Sequence, residues 1–121
     1  KTFVMGYCFG GSAALELARS GKGKNIVGYA SFHGGLKTPK GQNYTTNTPP
    51  IFIAHGGADK AVKLEDVFKI TNELEKNKII YEINIYSGAP HAFTVFNSKR
   101  YRKKADEKSW ESFLSFVEKE M

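Results

Sequence analysis

The segment Gly6-Tyr7-Cys8-Phe9-Gly10-Gly11 constrains this chain more than any other, because of what lies on either side of it. Before it, Thr2 to Met5 form a short apolar run. After it, Ser12 to Arg19 are rich in Ala and Leu, and Gly21 follows. The order reads as strand, sharp turn, helix and glycine stop. A cysteine with glycines two residues before and two after it has the spacing of a nucleophile elbow, in which the nucleophile sits on a strained turn between strand and helix. Both glycines are expected to be steric necessities, since a Cβ at Gly6 or Gly10 would meet tightly packed backbone. The helix that starts here aims its positive end at Cys8, which predicts a stabilised thiolate. The backbone N–H of Phe9, the next residue, is the predicted oxyanion donor.

The rest of the chain repeats the alternation. Ile26 to Phe32 reads as a second strand ending in His33-Gly34-Gly35, and Leu36 to Pro50 is polar and proline-bearing, hence loop. Ile51 to Ala54 is continuously apolar, as a strand buried on both faces must be, and it ends in His55-Gly56-Gly57-Ala58-Asp59. A helical period runs from Leu64 to Lys76, a strand from Tyr81 to Tyr86, and Trp110, Phe113, Leu114, Val117 and Met121 are expected to form the apolar stripe of a closing helix. Strands alternating with helices imply parallel β/α units with right-handed crossovers: an α/β fold of about four parallel strands and three main helices.

In such sheets chemistry gathers at the carboxyl ends of the strands, and Cys8, His33, His55, Asp59 and His91 all fall just past one. His91 is the candidate base for Cys8, and Asp59 the carboxylate that accepts its Nδ1–H and fixes its tautomer. Each has a plainer reading: a buried small hydrophobe for Cys8, a turn residue for Asp59, a loop histidine for His91. Their order (nucleophile, acid, histidine) and their common position after strands favour the catalytic reading. His33 and His55 are expected to be structural, bonding turn backbone. No metal is expected, because no Cys or carboxylate lies at the short spacings of zinc sites.

A formal charge of +6 and the basic run Lys99, Arg100, Arg102, Lys103, Lys104 raise the question of nucleic acid. Glu107, Glu111, Glu118 and Glu120 follow on what reads as the same helix, so the run is taken as its solvated face and no nucleic-acid partner is expected. No stretch of about 18 apolar residues occurs, so no membrane partner is expected either. The single cysteine excludes an internal disulfide and favours a reducing, cytoplasmic setting. A rival to hydrolysis is a non-enzymatic or redox-sensing module using a low-pKa Cys8, which the lack of a second, resolving cysteine weakens.

Three segments together resemble the dienelactone hydrolase family: Gly6 to Gly11, then His55-Gly56-Gly57-Ala58-Asp59-Lys60-Ala61-Val62, then Gly88-Ala89-Pro90-His91-Ala92-Phe93. The resemblance covers the whole chain and extends to Tyr101, Ala105, Ser109-Trp110 and Phe113. It implies an α/β-hydrolase fold, Cys8, Asp59 and His91 as catalytic triad, and cofactor-free hydrolysis of a small ester or lactone through an acyl-cysteine, as in carboxymethylenebutenolidase. Well-known bacterial members have a substrate-binding Arg four residues after the histidine, where this chain has Val95, so dienelactone itself is not the implied substrate. The family fold also has strands and helices before the elbow. Residues 1–121 are therefore expected to be the C-terminal half of the domain, with the second oxyanion donor and other pocket groups upstream and the 121 residues alone inactive. The strand at residues 2–5 would then be an edge open to self-association or to pairing with the N-terminal portion.

Overall fold

The computed structural model describes residues 1–121 as one four-stranded sheet with helices on both faces. Strand β1 (Thr2–Tyr7) leads into helix α1 (Phe9–Ser20), then β2 (Ile26–Phe32), β3 (Ile51–Gly56), α2 (Leu64–Lys76), β4 (Tyr81–Tyr86) and α3 (Lys103–Glu120). The strands lie in sequential order, β1-β2-β3-β4, and every neighbouring pair is parallel. The expected α/β class and the count of four strands and three helices hold.

Alternation along the strands sorts the core into two layers. Tyr29, Ile51 and Ile53 pack with Leu15 and Ala18 of α1, Val67, Ile70 and Leu74 of α2, and Leu36 and Tyr44 from the connection between β2 and β3. Ala30, Phe32, Phe52 and Ala54 face the other way, onto Ala105, Phe113 and Phe116 of α3. All six residues of β3 are buried, as its apolar run predicts. The sequential order with α1 and α2 on one face is what crossovers of a single hand produce.

Two expectations need correction. The buried stripe of α3 is Ala105, Ser109, Phe113 and Phe116, whereas Trp110, Leu114 and Met121 are substantially exposed. The helix is rotated because Phe113 and Phe116 stack against Phe32 and Phe52, the largest apolar partners on that face, and steps of four, four and three carry the stripe back to Ala105. The basic run is also not one helical face: Lys99, Arg100 and Arg102 precede α3, and only Lys103, paired with Glu107 at 3.0 Å, and Lys104 lie on it.

The elbow divides its two glycines. A Cβ on Gly6 would stand 2.2 Å from the Gly10 carbonyl carbon and oxygen, while a Cβ on Gly10 would meet nothing within 4 Å. The steric demand foreseen at Gly10 therefore belongs to Gly6 and to Gly11, where a Cβ would lie 2.3 Å from Ser31 Oγ. Urea unfolding should separate the pair. Gly6→Ala is expected to cost about 1–3 kcal/mol or more as an overpacked site, and Gly10→Ala to stay within about 0.5 kcal/mol of the parent. Equal costs would mean that the helix entry is not what the Gly6 position accommodates.

Candidate active site

Cys8 is the residue at which β1 turns into α1, and its backbone sits at φ 53°, ψ −119°, a conformation that L-residues rarely adopt. The surroundings over-determine it. Cys8 N–H donates to the Phe32 carbonyl at 3.0 Å, and the Cys8 carbonyl accepts from Gly11 and Ser12 N–H as the first turn of α1 closes. Phe9, the first residue of α1, belongs to the helical turn whose N–H groups have no intrahelical acceptor.

Asp59 lies in the turn after β3 with its side chain fully buried. One oxygen, Oδ1, accepts from the Ala61 and Val62 N–H groups, both at 2.8 Å, and the other, Oδ2, accepts from His91 Nδ1 at 2.9 Å. One oxygen thus holds the turn while the other meets the His91 ring. His55 pins the same loop from the strand side, its Nε2–H donating to the buried Val62 carbonyl at 2.8 Å. Burial, offset in part by that bond, holds the His55 pKa below its ordinary value.

His33 departs from its expected role. Its ring reaches two side chains: Nδ1 is 3.2 Å from Cys8 Sγ and Nε2 is 2.8 Å from Thr94 Oγ1. The ring is inaccessible to solvent and packs edge-on against His91 and Phe93, with centroids 5.6 and 5.1 Å apart. Cys8, His33 and His91 each bring one ligand-capable atom within 4.8 Å of the other two. No short spacing in the sequence links the three; they converge from the ends of β1 and β2 and from the segment beyond β4. Sequence reasoning took His33 as structural and did not single out Thr94; Cys8 and His33 emerge side by side because Tyr7 pairs with Phe32 in the parallel register, which the sequence alone does not show.

The electrostatics overturn one expectation. The Cys8 thiol is pushed up rather than down, first by burial and then by the Asp59 carboxylate, with Arg100 pulling the other way. Burial disfavours the charged thiolate, so Cys8 rests as a thiol. For the same reason of burial, with His91 adding to it, the His33 pKa is lowered to about 4. His33 is then a neutral ring with one N–H, set between two partners, Cys8 Sγ and Thr94 Oγ1, that can each donate or accept. Beside His91, a groove lined by Ala58, Lys60, Ala61, Pro90 and Arg100 opens to solvent.

The family model for the dienelactone hydrolase family matches residues 1–121. The chain belongs to the dienelactone hydrolase family. A curated member from Saccharolobus solfataricus, assigned provisionally as a carboxymethylenebutenolidase, is 30% identical over 119 residues, covering 97% of this chain and 44% of its own. Among solved structures, a dienelactone hydrolase-like promiscuous phosphotriesterase from metagenomic libraries superposes with a TM-score of 0.86 at 26% identity, covering 99% of this chain and 52% of that one. An alpha/beta hydrolase from a Medee basin deep-sea metagenome library shares the fold, with a TM-score of 0.81 at 21% identity over 97% and 53% of the two chains. The chain thus spans about half the length of the family members it matches. No helix is long and apolar enough to cross a membrane.

Burial of neutral His33 carries a stability signature. Its ordinary pKa of 6.5 drops to about 4 in the fold, so between these values the unfolded chain binds more protons and stability rises with pH. Acidification from pH 6.5 to 4 is expected to lower the urea midpoint, and His33→Gln to flatten that dependence. An identical slope in the variant would show that His33 stays solvated.

Proposed function

We propose that the protein hydrolyses a small ester or lactone through an acyl-cysteine on Cys8, with His91 as base and Asp59 as the group that orients it. The observation that carries this reading is the Asp59–His91 hydrogen bond of 2.9 Å, made by a fully buried carboxylate, beside a cysteine on a strained elbow. With Nδ1–H committed to Asp59, the imidazole presents Nε2 as its free lone pair.

In this mechanism His91 Nε2 takes the Cys8 proton as Sγ attacks the carbonyl carbon. The tetrahedral oxyanion accepts a hydrogen bond from Phe9 N–H, and His91 then protonates the departing alkoxide. Water, deprotonated by His91, cleaves the thioester and restores the thiol. Before attack, the thiol must exchange its partner His33 for His91. The raised Cys8 pKa supports acyl transfer with a base over the redox-sensing alternative, which needs a standing thiolate.

The proposal extends to sequence beyond residues 1–121. Relatives are about twice as long, and in this reading the second oxyanion donor and further substrate-binding groups would lie in the part that this chain does not span. Thr2–Tyr7 is an edge strand whose outer hydrogen-bonding row suits another strand. We read it as the seat of that N-terminal portion, without which residues 1–121 would be inactive.

Incubation of the full-length protein with an activated ester should give an acyl adduct that mass spectrometry maps to Cys8. Turnover should fall by roughly 10³-fold or more in Cys8→Ala. Asp59→Asn, which keeps an oxygen for the Ala61 and Val62 N–H groups but offers His91 the wrong partner, should lose about 10⁴-fold in kcat. Unchanged turnover in Cys8→Ala would end the proposal.

A further inference from the structure

From the same cluster we infer that the protein binds one Zn²⁺ through Cys8 Sγ, His33 Nδ1 and His91 Nε2, and that the ion silences the nucleophile. Binding rests on geometry alone; silencing rests on the reading of Cys8 as nucleophile.

Three donors of the types zinc prefers lie within 4.8 Å of one another, and Cys8 Sγ and His33 Nδ1 are already 3.2 Å apart. On a tetrahedral zinc, thiolate and imidazole ligand atoms stand roughly 3.3–3.6 Å apart. The widest pair in the cluster therefore needs to close by roughly 1.2–1.5 Å at most, a distance that side-chain rotations cover.

The groups behind the donors strengthen the case. A zinc-bound histidine usually donates its other ring N–H to a carboxylate or another oxygen acceptor, which fixes its tautomer and raises its basicity. Both histidines are so arranged: His91 Nδ1 meets Asp59 Oδ2 at 2.9 Å, and His33 Nε2 meets Thr94 Oγ1 at 2.8 Å. Each leaves its other nitrogen for a metal, His33 Nδ1 already lying 3.2 Å from Cys8 Sγ. His33 is fully buried, held between Phe93 and the His91 ring, so its donor is fixed in place before an ion arrives. Cys8 and His91 are part-exposed, which gives the ion its entry path. Arg100, the cation that acts on Cys8, opposes binding but is shared with solvent.

Three protein ligands leave the fourth position to water, as in open zinc sites. Binding replaces the Cys8 S–H proton by the metal and releases that proton to solvent, with no change in oxidation state. The lone pair that would attack a carbonyl and the nitrogen that would take its proton are then both held by the ion.

Cobalt(II) provides the test, because it adopts tetrahedral zinc sites and shows a thiolate-to-metal charge-transfer band only when sulfur is bound. Metal-free, full-length protein is expected to bind one cobalt with that band, and zinc to displace it. Thr94→Val should weaken binding roughly 10- to 100-fold, and His33→Gln should weaken it further; circular dichroism would check that the buried substitution still folds, and Thr94→Val decides if it does not. A wild-type protein without the charge-transfer band, or Thr94→Val and a folded His33→Gln binding as tightly as wild type, would overturn the site. Ester turnover measured in parallel should stop with zinc and return with chelator. Metal-free protein that forms the cobalt band yet never cleaves ester would sink the hydrolase reading and leave the site standing.

Discussion

The turn from β1 into α1 is completed within a single residue, and the rim of the sheet is arranged around that compression. Gly6 allows the Gly10 backbone to press onto the strand, because even a methyl group there would lie 2.2 Å from it. Cys8 takes the strain as a positive φ. Its N–H and carbonyl are spent on the Phe32 carbonyl and on the first turn of α1, so the side chain has one direction left to it, outward over the ends of β2 and β3. A longer turn would relax the cysteine but would lose the fixed relation between thiol, helix end and neighbouring strands.

Parallel pairing then does for the other groups what the elbow does for Cys8. The ladder steps from Cys8 to Phe32 and from His33 to Ala54, with hydrogen bonds of 3.0 and 2.8 Å, so the residues just past β1 and β2 lie in one row with His55, near the end of β3. That row carries Cys8, His33 and His55. The two histidines face different tasks from equivalent positions: His55 ties down the Val62 carbonyl and with it the Asp59 loop, while His33 reaches the thiol and Thr94. His91 arrives from beyond β4 and is fixed to the row by Asp59 and by its edge-on contact with His33.

Much of this was legible in the residues, for identifiable reasons. Strand and helix positions followed from local periodicity, and α2 from Leu64 to Lys76 matched to the residue because its apolar stripe is intact on one face. The candidate triad was legible because glycine spacing and turn chemistry are also local. What depended on non-local packing was not. The face of α3 turned by a fraction of a turn to stack Phe113 and Phe116 on two phenylalanines of the sheet. The Gly10 requirement proved to be one of Gly6 and Gly11. His33 needed the strand register to be seen beside Cys8, and the raised thiol pKa needed its burial to be known.

The raised pKa of Cys8 also clarifies what Asp59 does in the proposed reaction. A carboxylate near a thiolate disfavours the thiolate, and Asp59 does push the Cys8 pKa up. The same carboxylate, however, touches His91 at 2.9 Å and does not touch Cys8, so its attraction for an imidazolium exceeds its repulsion of the more distant sulfur. Transferring the proton from Cys8 to His91 therefore brings the positive charge next to Asp59 and leaves the negative charge farther away. In the proposed reaction Asp59 therefore opposes a lone thiolate more than it opposes the pair of charges. A resting thiol and a reactive ion pair are compatible for this reason: burial and Asp59 suppress a free thiolate, and Asp59 acting through His91 supports one only while the proton is held close by.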